Sequence, residues 1–292
     1  MFCVLRRLFA GIFVCTAWLS SGFAQAPVFQ YTAVPDQDDA VLAQRYEKFA
    51  AHFRQKLGVN ARYVPVSSYE AAVKAFIAGE VQLAWFGAFS GLIARMAVPG
   101  SEFVAQGEKD RNFKTYFIAH SSSGIKPSKD FPKDIRGKSF LFGSPMSTAG
   151  RLVPEYWIRQ EFGQGSRNVF SRVSFSGDHT STLDLIQAGA AEVGALDYTV
   201  FEAAQRAGKI DPSKVAVIWE TPAFPDYGFV LRGGVDGTFG EGFSAKVRQA
   251  ILDVSDEEIL KAFGRPQFVP ASNAEYGFIE KLASALVAEE GK

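Results

Sequence analysis

The sequence is poor in the residues that usually build reactive or metal-holding centres. Its two cysteines, Cys3 and Cys15, both lie near its start. A chain that loses that start can have no disulfide, thiolate nucleophile or cysteine-bound metal. The three histidines, His52, His120 and His179, are scattered, and none has the spacing of a zinc site. Neither sign of charge dominates, because 31 basic residues balance 31 acidic ones without a polybasic stripe. Nucleic acid is therefore not an expected partner. Beyond residue 26 no apolar run approaches membrane-spanning length. No cofactor or metal is expected.

The first residues have three parts. Arg6-Arg7 form a basic region, Leu8 to Leu19 an apolar one, and Ala24-Gln25-Ala26 a small-x-small cleavage site. Residues 1–26 therefore read as a secretory signal peptide, cleaved after Ala26, that sends the chain to the periplasm. The Phe13-Val14 pair before Cys15 lacks the small residue of a lipoprotein site, so no lipid anchor is expected.

The remaining chain is long enough for two modest domains. Val28–Val34, Ala61–Val66 and Val81–Phe86 read as strands, separated by helices over 39–57 and from Ser68 to Gly79. Alternation at this spacing means right-handed crossovers and a parallel, buried sheet. A further helix is expected from Leu92, then strands over Ser101–Gln106 and Asn112–His120. A second set has strands at 139–142, 169–175, 192–196 and 215–219, with helices at 152–162, 180–188 and 198–207. A strand over Gly228–Leu231 and helices at 245–254, 257–263 and 273–289 close the chain. This is an α/β chain of two lobes. Residues 27–120 with 225–292 are expected to form one, and 121–224 the other. A ligand cleft lies between such lobes, at the carboxyl ends of strands, and closes by hinge motion.

Four loops are expected to face that cleft. Val34-Pro35-Asp36-Gln37-Asp38 follows the opening strand. Trp85-Phe86-Gly87-Ala88-Phe89-Ser90 supplies aromatics that either wall a small ligand or pack in the core, while Gly87 permits close backbone approach. The third, Ser144 to Gly150, carries hydroxyls on Ser144, Ser147 and Thr148 ahead of a helix. Unpaired N–H groups and the helix dipole make such a junction an anion cradle, unless Ser147 or Thr148 merely caps it. Pro154 cannot donate to the Gly150 carbonyl, so this helix is either kinked or begins near Gly150. In the fourth loop, Ser176-Gly177-Asp178-His179-Thr180, His179 is placed to donate to an anion oxygen. Asp197, ending the strand before Tyr198, either caps the next helix or accepts a proton still carried by the ligand.

Together these segments, with Arg62-Tyr63-Val64-Pro65-Val66, Met146–Leu152 and the Ala262-Phe263-Gly264 tail, resemble the phosphonate/phosphite-type periplasmic binding components of ABC transporters. Within that family they are similar to the selenate-transporter branch. The resemblance covers essentially the whole chain after the leader. It implies a type II periplasmic-binding fold, with two lobes joined by two crossover strands. It also implies a small anionic ligand, a permease and an ATPase as partners, and a monomer that is not an enzyme. The family's hydroxyl triplet falls on Ser147, Thr148 and Ala149, and its histidine and later acidic position on His179 and Asp197. Trp85, Phe86 and Gly87 complete the expected site. Alanine at 149 and phenylalanine at 86 each remove a hydroxyl that the family usually has. Two other readings use the same residues. One is a sensor presenting its closed form to a membrane receptor. The other is a hydrolase built on Ser147, His179 and Asp197.

Overall fold

The computed structural model of the chain describes residues 26–37 and 39–290. The expected signal peptide, apart from Ala26, and Asp38 lie outside them. The first half of the chain alternates as the sequence suggests. β1 (Phe29–Ala33), α1 (Asp39–Leu57), β2 (Ala61–Tyr63), α2 (Tyr69–Ala78), β3 (Leu83–Phe86), α3 (Ala88–Ala97) and β4 (Glu102–Gly107) lead to β5 (Thr115–His120). Next come β6 (Ser139–Phe142), α4 (Val153–Phe162), the single turn α5 (Ser166–Val169), β7 (Arg172–Phe175) and α6 (His179–Gln187). β8 (Val193–Asp197), α7 (Tyr198–Arg206), β9 (Val215–Glu220) and β10 (Gly228–Leu231) follow. α8 (Val235–Phe239), α9 (Phe243–Leu252), α10 (Glu257–Phe263), β11 (Phe268–Pro270) and α11 (Gly277–Glu290) complete the chain.

The strands form two sheets, six-stranded β11-β4-β10-β3-β1-β2 and five-stranded β7-β6-β8-β5-β9. Both are mixed rather than purely parallel. β1 runs parallel to β2 and β3, but the returning β10 is antiparallel to β3 and β4. In the second sheet β6 is parallel to β7 and β8, and β5 is antiparallel to β8 and β9. Sheet membership does not follow a break at residue 120, because β5 pairs wholly within the second sheet. The two connections between sheets are themselves paired. Phe113 and Phe224 exchange backbone hydrogen bonds at 2.8 and 2.9 Å, and the Asp226 N–H donates to the Asp110 carbonyl at 2.9 Å.

Local chemistry explains most boundaries. The Ser68 hydroxyl accepts from the Ala71 N–H at 3.0 Å to start α2, and Gly79 ends it at φ 79°, a left-handed cap that suits glycine. α3 begins at Ala88 and not at Leu92. Its small residues serve tight packing, not a loop, since a Cβ on Gly91 would come within 2.6 Å of the Phe103 ring. Before α4 the chain makes one π-helical turn, Thr148–Leu152. The Gly150 carbonyl, which Pro154 cannot serve, accepts instead from the Gly143 N–H at 2.9 Å. The C-terminal helix is shorter than expected, because residues 273–276 form a 3₁₀ turn held by a Ser272–Glu275 capping box.

The first lobe's core is strongly aromatic. Phe49 and Phe229 stack at 5.3 Å, and Phe53, Phe263 and Phe268 pack around them. Each such ring contributes roughly 1.5–3 kcal/mol by leaving water. Ala149, Leu152 and Val153, from the second half of the chain, join this same core. The lobes are therefore closed on each other.

Candidate functional site

Closure brings together chain segments far apart in sequence. The His179 N–H donates to the Asp36 carbonyl at 3.3 Å. The Phe89 N–H, at the start of α3, donates to the Thr148 hydroxyl oxygen at 3.0 Å. With its oxygen engaged as acceptor, Thr148 donates its own proton to Asp226, whose Oδ1 also accepts from the Ala88 N–H at 2.9 Å. Gly87 is the residue that permits this approach. A Cβ there would lie 3.1 Å from Thr148 Oγ1 and 3.2 Å from Asp226 Oδ1.

Most of the expected hydroxyl loop is in place. Ser147 is buried, and its Oγ accepts from the Gly150 N–H at 2.9 Å, so it caps the π turn. Thr148 and Ala149 open that turn, where backbone N–H groups have no intrahelical acceptor. The Ala149 carbonyl accepts from the Thr115 hydroxyl on β5 at 2.9 Å, which ties the turn to the second sheet.

His179 is fully buried, and burial holds its pKa down, at about 4, against the opposing pull of Asp36 and Asp178. Its ring is therefore neutral at ordinary pH. The Asp197 N–H points at Nδ1 from 3.2 Å, so Nδ1 must be the bare acceptor and the ring proton sits on Nε2. That Nε2–H is buried and has no hydrogen-bond partner among the described residues. An orphaned buried donor costs about 1–3 kcal/mol, and a ligand oxygen would remove that cost.

The Asp197 carboxylate takes the capping part, one of the two expected of it. Its Oδ1 accepts from the Thr199 N–H at 2.6 Å and the Thr199 hydroxyl at 2.7 Å, capping α7. Burial raises its pKa, against the nearby Arg265 charge. Trp85 and Phe86 take the packing part of the two expected of them. They project from opposite faces of β3 into packing: Trp85 stacks on Tyr227 at 5.6 Å, and Phe86 meets Phe76 edge-on at 5.7 Å.

Three residues that sequence reading missed stand at the site. Asp226 and Tyr227 lie between the segments read as strands at 215–219 and 228–231, and Tyr69 within the one read as a helix from Ser68 to Gly79. Asp226 is fully buried, and its pKa is pushed up to about 8 by burial, against the hydrogen bonds from Thr148 and Ala88. The Tyr69 hydroxyl is buried with no hydrogen-bond partner of good geometry, only a loose approach to Tyr227. An acidic residue at the end of a crossing segment, just before the glycine that opens β10, was the available signal. Behind these groups lies a buried ion pair. Arg265 grips Asp110 through Nε at 3.0 Å and Nη2 at 2.5 Å, and its guanidinium lies 5.5 Å from the Tyr227 ring centre.

Where the lobes meet, a neutral histidine and Ser147 lie against Gly150, and Thr148 and Asp226 against Gly87. A buried donor, a helix start and a protonatable carboxyl in one neighbourhood suit a small oxyanion. Comparison with known proteins agrees. Residues 31–276 match the family described as ABC transporter, phosphonate, periplasmic substrate-binding protein. The chain belongs to this family. A similar relative is a protein of Prochlorococcus marinus described as a probable ABC transporter phosphite binding protein, PhnD1. It is 31% identical over 98% of this chain and 99% of its own. The crystal structure of PhnD1 in complex with methylphosphonate superposes with a TM-score of 0.85 at 33% identity, covering 89% of this chain and 98% of that one. The phosphonates-binding periplasmic protein of Escherichia coli is 22% identical over 94% of this chain and 82% of its own.

The fold is thus the two-lobed type II arrangement of periplasmic binding proteins. Members of the phosphonate-binding family are substrate-binding components of ABC transporters, not enzymes, and they work with a permease and an ATPase. The geometry is in keeping with that. Asp197 meets the His179 ring through its backbone N–H, so no carboxylate–histidine–serine relay links Ser147, His179 and Asp197. None of the relatives named here is described as a selenate binder.

Proposed function

We propose that the chain binds a small phosphorus oxyanion that retains an acidic proton, phosphite or a short phosphonate such as methylphosphonate. The observation that carries this reading is the buried Nε2–H of His179, without a hydrogen-bond partner among the described residues, beside the same π turn whose Thr148 meets Asp226 at Gly87. The histidine, the Tyr69 hydroxyl and the first N–H groups of the π turn donate to the anion's oxygens, while Thr148 keeps its own proton on Asp226. Asp226 shares one proton with the ligand, because two buried negative charges side by side would repel strongly. Sulfate and selenate carry no such proton at neutral pH and are rejected on that ground.

The two lobes we assign are residues 26–113 with 225–290, and 114–224, turning about the paired crossings at Phe113 and Phe224. The chain acts as a monomer, exported by residues 1–26. A thermal-shift panel on the exported chain tests the ligand. Phosphite and methylphosphonate are expected to raise the melting temperature by mass action, and sulfate and selenate to leave it unchanged. Equal stabilisation by sulfate would sink the shared-proton reading.

A further inference from the structure

A second anion-binding feature lies outside this site. Between the lobes, at their outer edge, is a cavity of about 460 Å³. Gln37, Thr180, Tyr198 and Arg265 line it. The first three are immediate chain neighbours of Asp36, His179 and Asp197, and Arg265 is the arginine beside Tyr227. The cavity thus adjoins the buried groups around Asp36, His179 and Asp197, and we call it their vestibule.

Its walls are unevenly charged. Lys109 from the first crossing, Lys261 from α10 and Lys209 from the turn after α7 bring cations from both sides of the cleft. Among the described residues, none of these three has a carboxylate within ion-pair distance, whereas Arg206 on the same wall is paired with Glu202 at 3.4 Å. Arg45 also lines the vestibule. It is 4% exposed, yet its Nε has no hydrogen-bond partner, and its nearest carboxylate, Asp36, is 3.8 Å away, too far for a hydrogen bond. A buried guanidinium donor left open towards a cavity rimmed by three unpaired lysines is a place built for an anion.

We propose that the vestibule is an encounter site. It captures the incoming phosphorus oxyanion on Arg45 and the lysines before the anion passes to His179 and Asp226. This rests on the reading of the inner site given above. Asp184 and Glu202 also line the cavity, Glu202 paired with Arg206, so the walls carry an excess of cations. Such an excess in a cleft focuses the field and raises association rates without adding contacts in the final complex. The separation of tasks is chemically sensible. A cationic outer site attracts any anion, while the inner site, with a neutral histidine and an aspartate, selects those bearing a proton.

Stopped-flow tryptophan fluorescence with methylphosphonate as probe separates the two ideas. The triple variant Lys109→Gln/Lys209→Gln/Lys261→Gln is expected to associate roughly three- to tenfold more slowly at low ionic strength. Its rate should depend less steeply on salt, with dissociation unchanged. Arg45→Gln, whose folding is checked by its melting curve, should slow association in the same way. Association as fast as wild type in both variants overturns the vestibule and leaves the inner-site reading intact. A wild-type chain to which methylphosphonate does not bind overturns both.

Discussion

At the scale of single residues, Asp226 carries the most consequence. A carboxyl held at about 8 is mainly protonated in the folded chain at neutral pH, whereas in the unfolded chain it ionises near its ordinary value of 3.8. Between those values the native state binds more protons than the unfolded one, so this group makes stability fall as pH rises from about 4 to 8. Asp226→Asn keeps an acceptor for the Ala88 N–H and removes the titration. The ligand-free variant is expected to gain on wild type as pH rises through that window, by roughly 2–5 kcal/mol at its upper end. Denaturant melts at about pH 5 and pH 9 would show it, and an equal difference at both would refute the buried-acid assignment. His179 and Asp226 also illustrate what sequence can and cannot give. A histidine between a strand-ending Ser-Gly-Asp and a helix announces itself by its loop. An aspartate in Pro-Asp-Tyr, on a connecting segment, does not, because only the pairing of the two crossings brings it beneath Gly87.

Among elements, the helices were legible wherever a cap marked them. Ser68, Gly79, Asp178 and Gly163 all stand at the helix ends to which their chemistry suits them. What was not legible was tertiary. α3 starts four residues earlier than periodicity implies, because its glycine and alanine face Phe103 and the crossing segments at close range. Asp197 could have capped or bound, and its Oδ1 caps α7 through Thr199. Trp85 and Phe86 could have walled the ligand, but successive residues of β3 point to opposite faces and both meet aromatic partners. The Arg265–Asp110 pair joins elements too. Asp110 lies in the first crossing, its carbonyl holds the Asp226 N–H, and Arg265 comes from the turn before β11. Asp110→Ala would leave a buried guanidinium unpaired and is expected to cost about 3–5 kcal/mol. Combining it with Arg265→Met should recover a large part of that loss, as read from the denaturation midpoints of the two variants. Similar midpoints would show that the pair is not coupled.

For the whole molecule, the two sheets, their separate apolar clusters and the paired crossings give a body that can open along one line. The described closed form leaves donors in its centre unsatisfied, most plainly His179 Nε2 and the Tyr69 hydroxyl. Closure is therefore stable only when something accepts from them, which couples ligand capture to the shape that a permease reads. The two-lobed α/β architecture and its interlobe cleft were readable from strand–helix alternation. The exact point of crossing was not, because β5 has the alternation of either sheet and only its pairing with β8 and β9 assigns it. Titration calorimetry of methylphosphonate from about pH 6 to pH 9, in buffers of different ionisation enthalpy, tests the central claim most directly. The account requires one ligand per chain, net proton uptake once both partners would otherwise be ionised, and affinity that weakens above about pH 8. Binding that strengthens steadily with pH, without proton uptake, would contradict a proton shared between the anion and Asp226.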